Sequence, residues 1–416
     1  MRDMLGREDV ISIAEAQGRM ATHISVREPV SMGISIDLAY RRILSEDIYS
    51  PENMPAFSRS TVDGFAVNSS DTFGATEGIP AYLTISHEIL MGEEPAFQLK
   101  KGTAAKIATG GMLPPGADAV AMLEHVQYLD TGLIEAFKPL APGENVIAAS
   151  EDVKKGECFL KKGSILRPQD IAALAGVGIT SVKVYEKPRV SIIATGDEIV
   201  PVESGLKPGQ VRDINSYSLA GLLMEHGAIP VKRGICKDAY EEIRDVVQRS
   251  LRDSDMVLIT GGSSVGTKDM TAEIINSLGS PGVLFHGVAL KPGKPTIGAV
   301  VDGVPVFGLP GHPAAVVVCF EIFILPVLKM LTGRQGKDNR DQRTIKARIT
   351  KNISSSQGRE DHIRVALEES DGEVSAEPVL GKSGLIRTLV KADGTIVIPA
   401  QICGIEEGAT VDVRLY

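Results

Sequence analysis

The chain has 416 residues, an apolar fraction of 43%, 4% aromatics and a formal net charge of −9. That length predicts about three domains with well-filled cores. The acidic balance and scarce aromatics exclude a general nucleic-acid surface, so any anionic ligand must be held by local positive charge.

The N-terminal "MRDMLGREDV" lacks the apolar run of a signal peptide, and the most apolar later segment, "AAVVVCFEIFILPVL", is interrupted by Glu321 and Pro326. A cytoplasmic protein with no membrane partner is expected. The four cysteines, Cys158, Cys236, Cys319 and Cys403, lie far apart, which indicates neither a disulfide framework nor a zinc site.

"REDVISIAEAQGRMATHI" carries apolar residues at helical spacing and predicts one helix. From residue 51 to 139, short strands broken by Gly and Pro predict a β-rich domain. Within it, Asp63-Gly64 in "STVDGFAV" and Pro114-Pro115-Gly116 in "IATGGMLPPGADAVAMLEHV" are turn signals. Residues 140–187 are expected to pack with residues 7–50 as a discontinuous linker domain.

Between residues 188 and 333 the pattern changes. Strands at "RVSIIA", "IPVKRGI", "DMVLIT" and "VLFHGVAL" alternate with helices at "SLAGLLMEHG", "DAYEEIRDVVQRSL" and "MTAEIINSLG", the grammar of a parallel sheet with crossovers. A hairpin, "IGAVVDGVPVFG", turns at Asp302 and Gly303, and a buried helix begins near Pro313. Alternating strands return over residues 337–416, as expected for a small C-terminal β-barrel or sandwich.

The unusual loops fall together on this scaffold. "TGDE" follows one strand, "TGGSSVGTKD" another and "KPGKP" a third, while "GLPGHP" ends the hairpin. In open α/β sheets, ligands bind beyond the carboxyl ends of the strands. The candidate binding residues there are Thr195, Gly196, Asn215, Gly261, Gly262, Ser263, Gly266, Pro292, Pro310 and Gly311. The glycines of "TGGSSVGTKD" allow backbone amides near an anion, but Thr267 and Asp269 stand where a Walker loop needs Lys and Ser or Thr. Asp269 reads equally as a functional carboxylate or a helix N-cap, and capping accounts for Asn215. Asp197 and Glu198 beside phosphates would need a cation, with Mg²⁺ the usual choice.

In "VALKPGKPTIG" a proline follows each of Lys291 and Lys294, which predicts extended, polyproline-like backbone presenting two ammonium groups from one stiff edge. The histidines lack the spacings of zinc enzymes, and His312 alone stands near the presumed cleft.

The ordered set "STVDGFAV", "ATGGMLPPGADAV", "SEDVKKGE", "ATGDEIV", "GGSSVGTKD", "LKPGKP", "GLPGHP" and "GKSGLIRTLVKADGTIVIP" resembles the molybdopterin molybdenumtransferase family, the MoeA type that includes the gephyrin E domain. It spans nearly the whole chain. The resemblance implies an elongated multidomain α/β plus β chain: an α/β molybdopterin-binding domain, a β-rich domain, a discontinuous linker domain and a C-terminal β-barrel. It also implies a homodimer that inserts molybdate into adenylylated molybdopterin and releases AMP. By motif position the family's functional residues fall on Asp63, Thr109, Asp152, Glu198, Asp238, Asp269, Lys291 and Lys294. Glu198, Asp238 and Asp269 would hold Mg²⁺, and the lysines would face molybdate or the pterin phosphates.

Molybdopterin adenylyltransferase and molybdoenzyme acceptors are the implied partners. Val62 and Phe65 stand where the family usually has Met and Tyr, His312 replaces a commoner Asn, and some relatives carry lysine at the position of Gly287. A tungstate-inserting relative, an adenylyltransferase and a gephyrin-like scaffold are the competing readings.

Overall fold

Near-continuous runs of branched apolar residues make strands that are buried on both faces, and such strands collect in a parallel sheet covered by helices. The computed structural model describes residues 10–24, 29–129, 132–261, 265–334 and 344–416. The chain divides into two compact units, one of residues 1–32, 41–45 and 184–416, the other of residues 33–40 and 46–183.

The first unit holds the α/β sheet. Its strand order is Ile229–Cys236, Arg189–Thr195, Met256–Gly261, Val304–Leu309, Ile297–Val301 and Pro281–His286. The first four run parallel, and the hairpin strand Ile297–Val301 is antiparallel to both of its neighbours. Two antiparallel steps restore the direction of Pro281–His286, so "TGDE", "TGGSSVGTKD" and "KPGKP" leave the carboxyl edge as the sequence predicted, and "GLPGHP", after Val304–Leu309, leaves the same edge. The hairpin turns at Asp302 (φ 49°) and Gly303 (φ 89°), the left-handed pair that a two-residue turn requires.

Alternate residues of each strand feed two cores. Val190, Ile192, Met256, Leu258 and Phe307 pack with Leu219 and Leu223 on one face. Ile193, Val257 and Ile259 pack with Ile243, Val247, Ile274 and Ile275 on the other. The N-terminal helix Ile13–His23 starts at Ser12, whose hydroxyl accepts from the Glu15 N–H at 3.2 Å, and buries Ala16 and Met20 in the first of these cores.

Pro313–Leu331 is long and apolar enough to cross a membrane, but 67% of its most apolar window is buried in this unit, as befits a core helix. A π segment, Phe320–Ile324, interrupts it and carries Glu321. Burial pushes the Glu321 carboxyl up, opposed by the charges of Arg414 and His362.

The C-terminal barrel of this unit closes through Glu360–Ser370, Glu373–Pro378, Thr344–Ile349, Thr410–Leu415 and Gly394–Ile398, the last pairing back onto the first. Val365, Ala376, Ile396 and Val413 fill its interior. A sixth, two-residue strand, Leu290–Lys291, is added in parallel to Glu360 and Asp361. The "KPGKP" loop is therefore stitched to the barrel by main-chain pairing.

The second unit is built on an open, curled sheet ordered Ala119–Met122, Gly64–Val67, Thr103–Ile107, Ala81–Ile89, Leu133–Ala136 and Val126–Leu129. Phe65 meets Tyr128 edge-to-face at 5.2 Å although their strands are not neighbours in the sheet, a contact that curling permits. Such pairs contribute roughly 0.5–1.5 kcal/mol beyond area burial. Discontinuous segments pair beside this sheet: Ile48–Tyr49 with Cys158–Leu160, and Arg59–Ser60 with Val146–Ile147.

Candidate active site

In the first unit the strand order reverses at Arg189–Thr195 and Met256–Gly261, because the chain crosses to one side after the first of them and to the other side before the second. The carboxyl ends of two such strands form the crevice where open α/β sheets bind ligands. Thr195 and Gly261 lie side by side there in register. Gly261 has φ +131°, and a Cβ on it would stand 1.9 Å from the Thr195 carbonyl oxygen, so only glycine fits. Gly196, at φ +145°, likewise lies against the Glu198 carboxylate.

Asn215 does not cap its helix. The helix Asn215–Glu225 has Ile214 at its N-cap position, and the carboxylate of the preceding Asp213 accepts the Ser216 N–H at 3.0 Å. Asn215 is 8% exposed, and its amide donates to Thr260 Oγ1 at 3.0 Å and to the Gly311 carbonyl at 2.9 Å. It thereby ties a strand end to the "GLPGHP" loop. Its Oδ1 is buried and has no hydrogen-bond partner among the described residues. An orphaned buried acceptor at a ligand-binding edge is a place for a donor from a bound molecule.

Asp269 is no N-cap either, since it lies one turn inside the helix Val265–Ser277. Gly266 belongs to the first turn of that helix, whereas Gly262 and Ser263 lie outside the described residues. The Asp238 N–H donates to Asp197 Oδ1 at 3.3 Å, and Glu198 is half-buried. Among the described residues no three His, Cys, Asp or Glu side chains gather closely enough to hold a metal ion. Glu198, Asp238 and Asp269 thus do not form a ready Mg²⁺ centre.

The "KPGKP" segment keeps the expected extended backbone at Lys291, which lies in the strand Leu290–Lys291, but turns back from Pro292 to Pro295 instead of continuing as a stiff edge. The Val288 N–H donates to the Lys294 carbonyl at 2.8 Å and the Thr296 N–H to the Gly293 carbonyl at 3.2 Å, which folds the segment into a tight loop with Gly293 at φ +126°. The glycine between the two prolines allows the reversal that a continuous polyproline helix forbids. This loop walls a cavity of about 280 Å³ with Pro310, Gly311 and His312 of "GLPGHP" and with Arg359 and Ser383 of the barrel.

Lys291, Lys294 and Arg359 put three cations on its wall, and no carboxylate lines it among the described residues. Behind the wall, Asp361 is fully buried and receives Lys291 Nζ at 3.2 Å on one oxygen and Arg359 Nε at 3.0 Å on the other. Ser383 Oγ stands 2.8 Å from His312 Nδ1, and its carbonyl accepts the Ala314 N–H at 3.2 Å.

In the second unit Asp63 is exposed, and its Oδ1 accepts both the Thr109 N–H at 2.7 Å and the Thr109 hydroxyl at 2.9 Å. These bonds, backbone first, hold the Asp63 carboxyl below its ordinary value. Asp152 is also exposed, with its N–H on the Met54 carbonyl at 3.1 Å.

Three family models match the chain in succession: "MoeA N-terminal region (domain I and II)" over residues 11–178, "Probable molybdopterin binding domain" over 191–330 and "MoeA C-terminal region (domain IV)" over 346–416. The chain is 32% identical over 416 residues to the molybdopterin molybdenumtransferase of Bacillus subtilis, covering 99% of this chain and 95% of the relative. It is 33% identical over 409 residues to that of Staphylococcus epidermidis, covering 97% and 95%. The chain belongs to the MoeA, or molybdopterin molybdenumtransferase, family.

The crystal structure of the molybdopterin biosynthesis MoeA protein from Pyrococcus horikoshii OT3 superposes with a TM-score of 0.85 at 33% identity, covering 98% of this chain and all of that one. As a MoeA-family member the chain is an enzyme of molybdenum cofactor biosynthesis. The residues that sequence reasoning did not single out are Arg359, Asp361 and Ser383 of the MoeA C-terminal region. Arg359 reaches the cavity wall, and Asp361 the position behind it, through the two-residue strand that docks the lysine loop, and so short a pairing leaves no sequence period to detect.

Proposed function

We propose that this enzyme inserts molybdate into adenylylated molybdopterin and releases AMP, with the oxyanion held in the cavity walled by Lys291, Lys294, Arg359 and Ser383. The single observation that carries the reading is the convergence of three cations, with no carboxylate among the described lining residues, on one cavity of about 280 Å³ in an otherwise acidic protein. Cations on the wall supply charge-assisted hydrogen bonds to an oxyanion, each worth about 1.5–3 kcal/mol.

The pterin nucleotide is assigned to the neighbouring strand ends. Thr195, Gly196 and Gly261 let its phosphates approach the main chain, and Asn215 Oδ1 accepts from its ring nitrogens. Hydrolysis breaks the adenylyl-phosphate bond: water adds to the adenylyl phosphorus and loses a proton, the bridging P–O bond breaks with molybdopterin phosphate as the leaving group, and AMP is released. Glu198, Asp238 and Asp269 are the acidic groups offered for that step, and Asp269→Asn should slow it more than it weakens pterin binding. Mg²⁺ would shield phosphate charge, but among the described residues no three carboxylates converge on a metal position. Asp63 with Thr109, and Asp152, are proposed as further substrate contacts, and the proposed assembly is a homodimer.

The test is to incubate the protein with adenylylated molybdopterin and either molybdate or tungstate while following AMP release. Oxyanion-dependent release that falls by about tenfold or more in Lys291→Ala and in Lys294→Ala supports the reading. Release that is independent of oxyanion and of both lysines overturns it.

A further inference from the structure

We propose that Asp361 is a positioning residue for oxyanion capture, holding the charged ends of Lys291 and Arg359 in place and offsetting part of their charge. The inference rests on the oxyanion reading above and adds a residue that never touches the oxyanion.

A carboxylate withdrawn fully from water is strongly unfavourable unless cations and hydrogen bonds compensate it. Asp361 is 0% exposed, and the compensation comes from opposite directions: Lys291 Nζ on Oδ2 at 3.2 Å, Arg359 Nε on Oδ1 at 3.0 Å. Each cation is partly solvated, Lys291 at 51% and Arg359 at 31% side-chain exposure. They are therefore anchored at one end and open to the cavity around the other.

The backbone makes this arrangement stiff. Lys291 and Asp361 are register partners in the short parallel pairing, and the Glu360 N–H donates to the Ala289 carbonyl at 2.9 Å. On its other side Asp361 pairs with Ile398 of the barrel. A carboxylate in mid-sheet has no freedom to follow its cations, so the cations must come to it.

Charge follows from the same geometry. Lys291 and Arg359 both line the cavity and both rest on Asp361 behind it, so one carboxylate is shared between two cations. Without Asp361 these two flexible cations would repel each other instead of sharing a carboxylate.

The two effects predict opposite signs, and this makes the inference testable. If Asp361 merely offsets charge, the near-isosteric Asp361→Asn raises the local positive charge and tightens oxyanion binding. If it positions the cations, the same variant weakens binding despite the added charge. Molybdate and tungstate affinities are measured on the full-length protein by isothermal titration calorimetry, together with the molybdate KM and kcat for AMP release.

The expected result for Asp361→Asn is a loss of affinity of about tenfold, a matching rise in KM and a smaller change in kcat. Combination with Lys291→Ala should lose less than the product of the single effects, because the two residues act as one unit. Tighter or unchanged binding in Asp361→Asn overturns the inference, as does a lowered melting temperature with an unchanged KM. Should Asp361→Asn not fold, the Arg359 Nε–H NMR resonance of the wild type decides. A slowly exchanging signal that shifts on addition of molybdate supports positioning, and a rapidly exchanging one that does not shift overturns it. Failure of the oxyanion reading itself looks different: the wild type would bind neither oxyanion, and Lys291→Ala and Arg359→Ala would leave AMP release untouched.

Discussion

His312 Nδ1 and Ser383 Oγ lie 2.8 Å apart, joining the residue before the core helix to a loop of the C-terminal barrel. The direction of this bond decides what the cavity offers an anion. When Nδ1 carries the proton, the Ser383 oxygen accepts from His312, and its own hydroxyl hydrogen is left to donate into the cavity. The reverse tautomer would spend that hydrogen on the imidazole.

Ser383→Ala should therefore weaken molybdate binding by the worth of one neutral hydrogen bond, about 0.5–1.5 kcal/mol. His312→Ala should cost a similar amount because the hydroxyl loses its direction. The double variant should be little worse than either single one, and calorimetric titration of all four proteins closes the cycle. Additive losses would mean that the two residues act independently.

The Asp63 carboxyl is held below its ordinary value by the Thr109 N–H and hydroxyl. A depressed folded-state value contributes stability that is fully present above the unfolded value of about 3.9 and is lost as pH falls through the lower folded value. Thr109→Val keeps the stronger backbone bond and deletes the hydroxyl. Its Asp63 midpoint, followed by carboxyl carbon NMR, should move up only part of the way to the ordinary value. An unmoved midpoint would remove the hydroxyl as a cause.

Gly261→Ala should be among the most damaging single substitutions at the sheet edge. The new Cβ would meet the Thr195 carbonyl oxygen at 1.9 Å, in a backbone region that side chains rarely adopt. Strain of that kind costs about 1–3 kcal/mol before any clash is counted. Urea unfolding should show at least that loss, together with weakened pterin binding if the strand ends splay. A stable, fully active variant would show that the edge can relax.

Asn215→Ala removes both donors that tie Thr260 to the Gly311 carbonyl. A buried carbonyl left unsatisfied costs about 1–3 kcal/mol. Asn215→Asp should be worse than Asn215→Ala near neutral pH, because it points a carboxylate at that carbonyl. The comparison is made by thermal unfolding, and equal melting temperatures for wild type and both variants would remove Asn215 from the structural role.

By itself the sequence determined the family and most of the architecture. Apolar periodicity separates the α/β segment from the β-rich ones, and Asp302-Gly303 fixes the hairpin, because these signals depend on near neighbours in the chain. The carboxyl-end rule then puts "TGDE", "TGGSSVGTKD" and "KPGKP" on one edge.

Only the tertiary structure decided how individual side chains are used. Asn215 reads locally as a cap, yet its amide spans to Gly311, 96 residues away. The lysine segment reads as extended, which holds at Lys291, yet hydrogen bonds close the residues after it into a tight turn. Asp361 is one charged residue in a strand until that strand meets Lys291, 70 residues earlier in the chain. Local propensity acts over a few residues, whereas hydrogen bonds and buried charges are satisfied by whatever the fold brings within about 3 Å, so those roles are written in space and not in spacing.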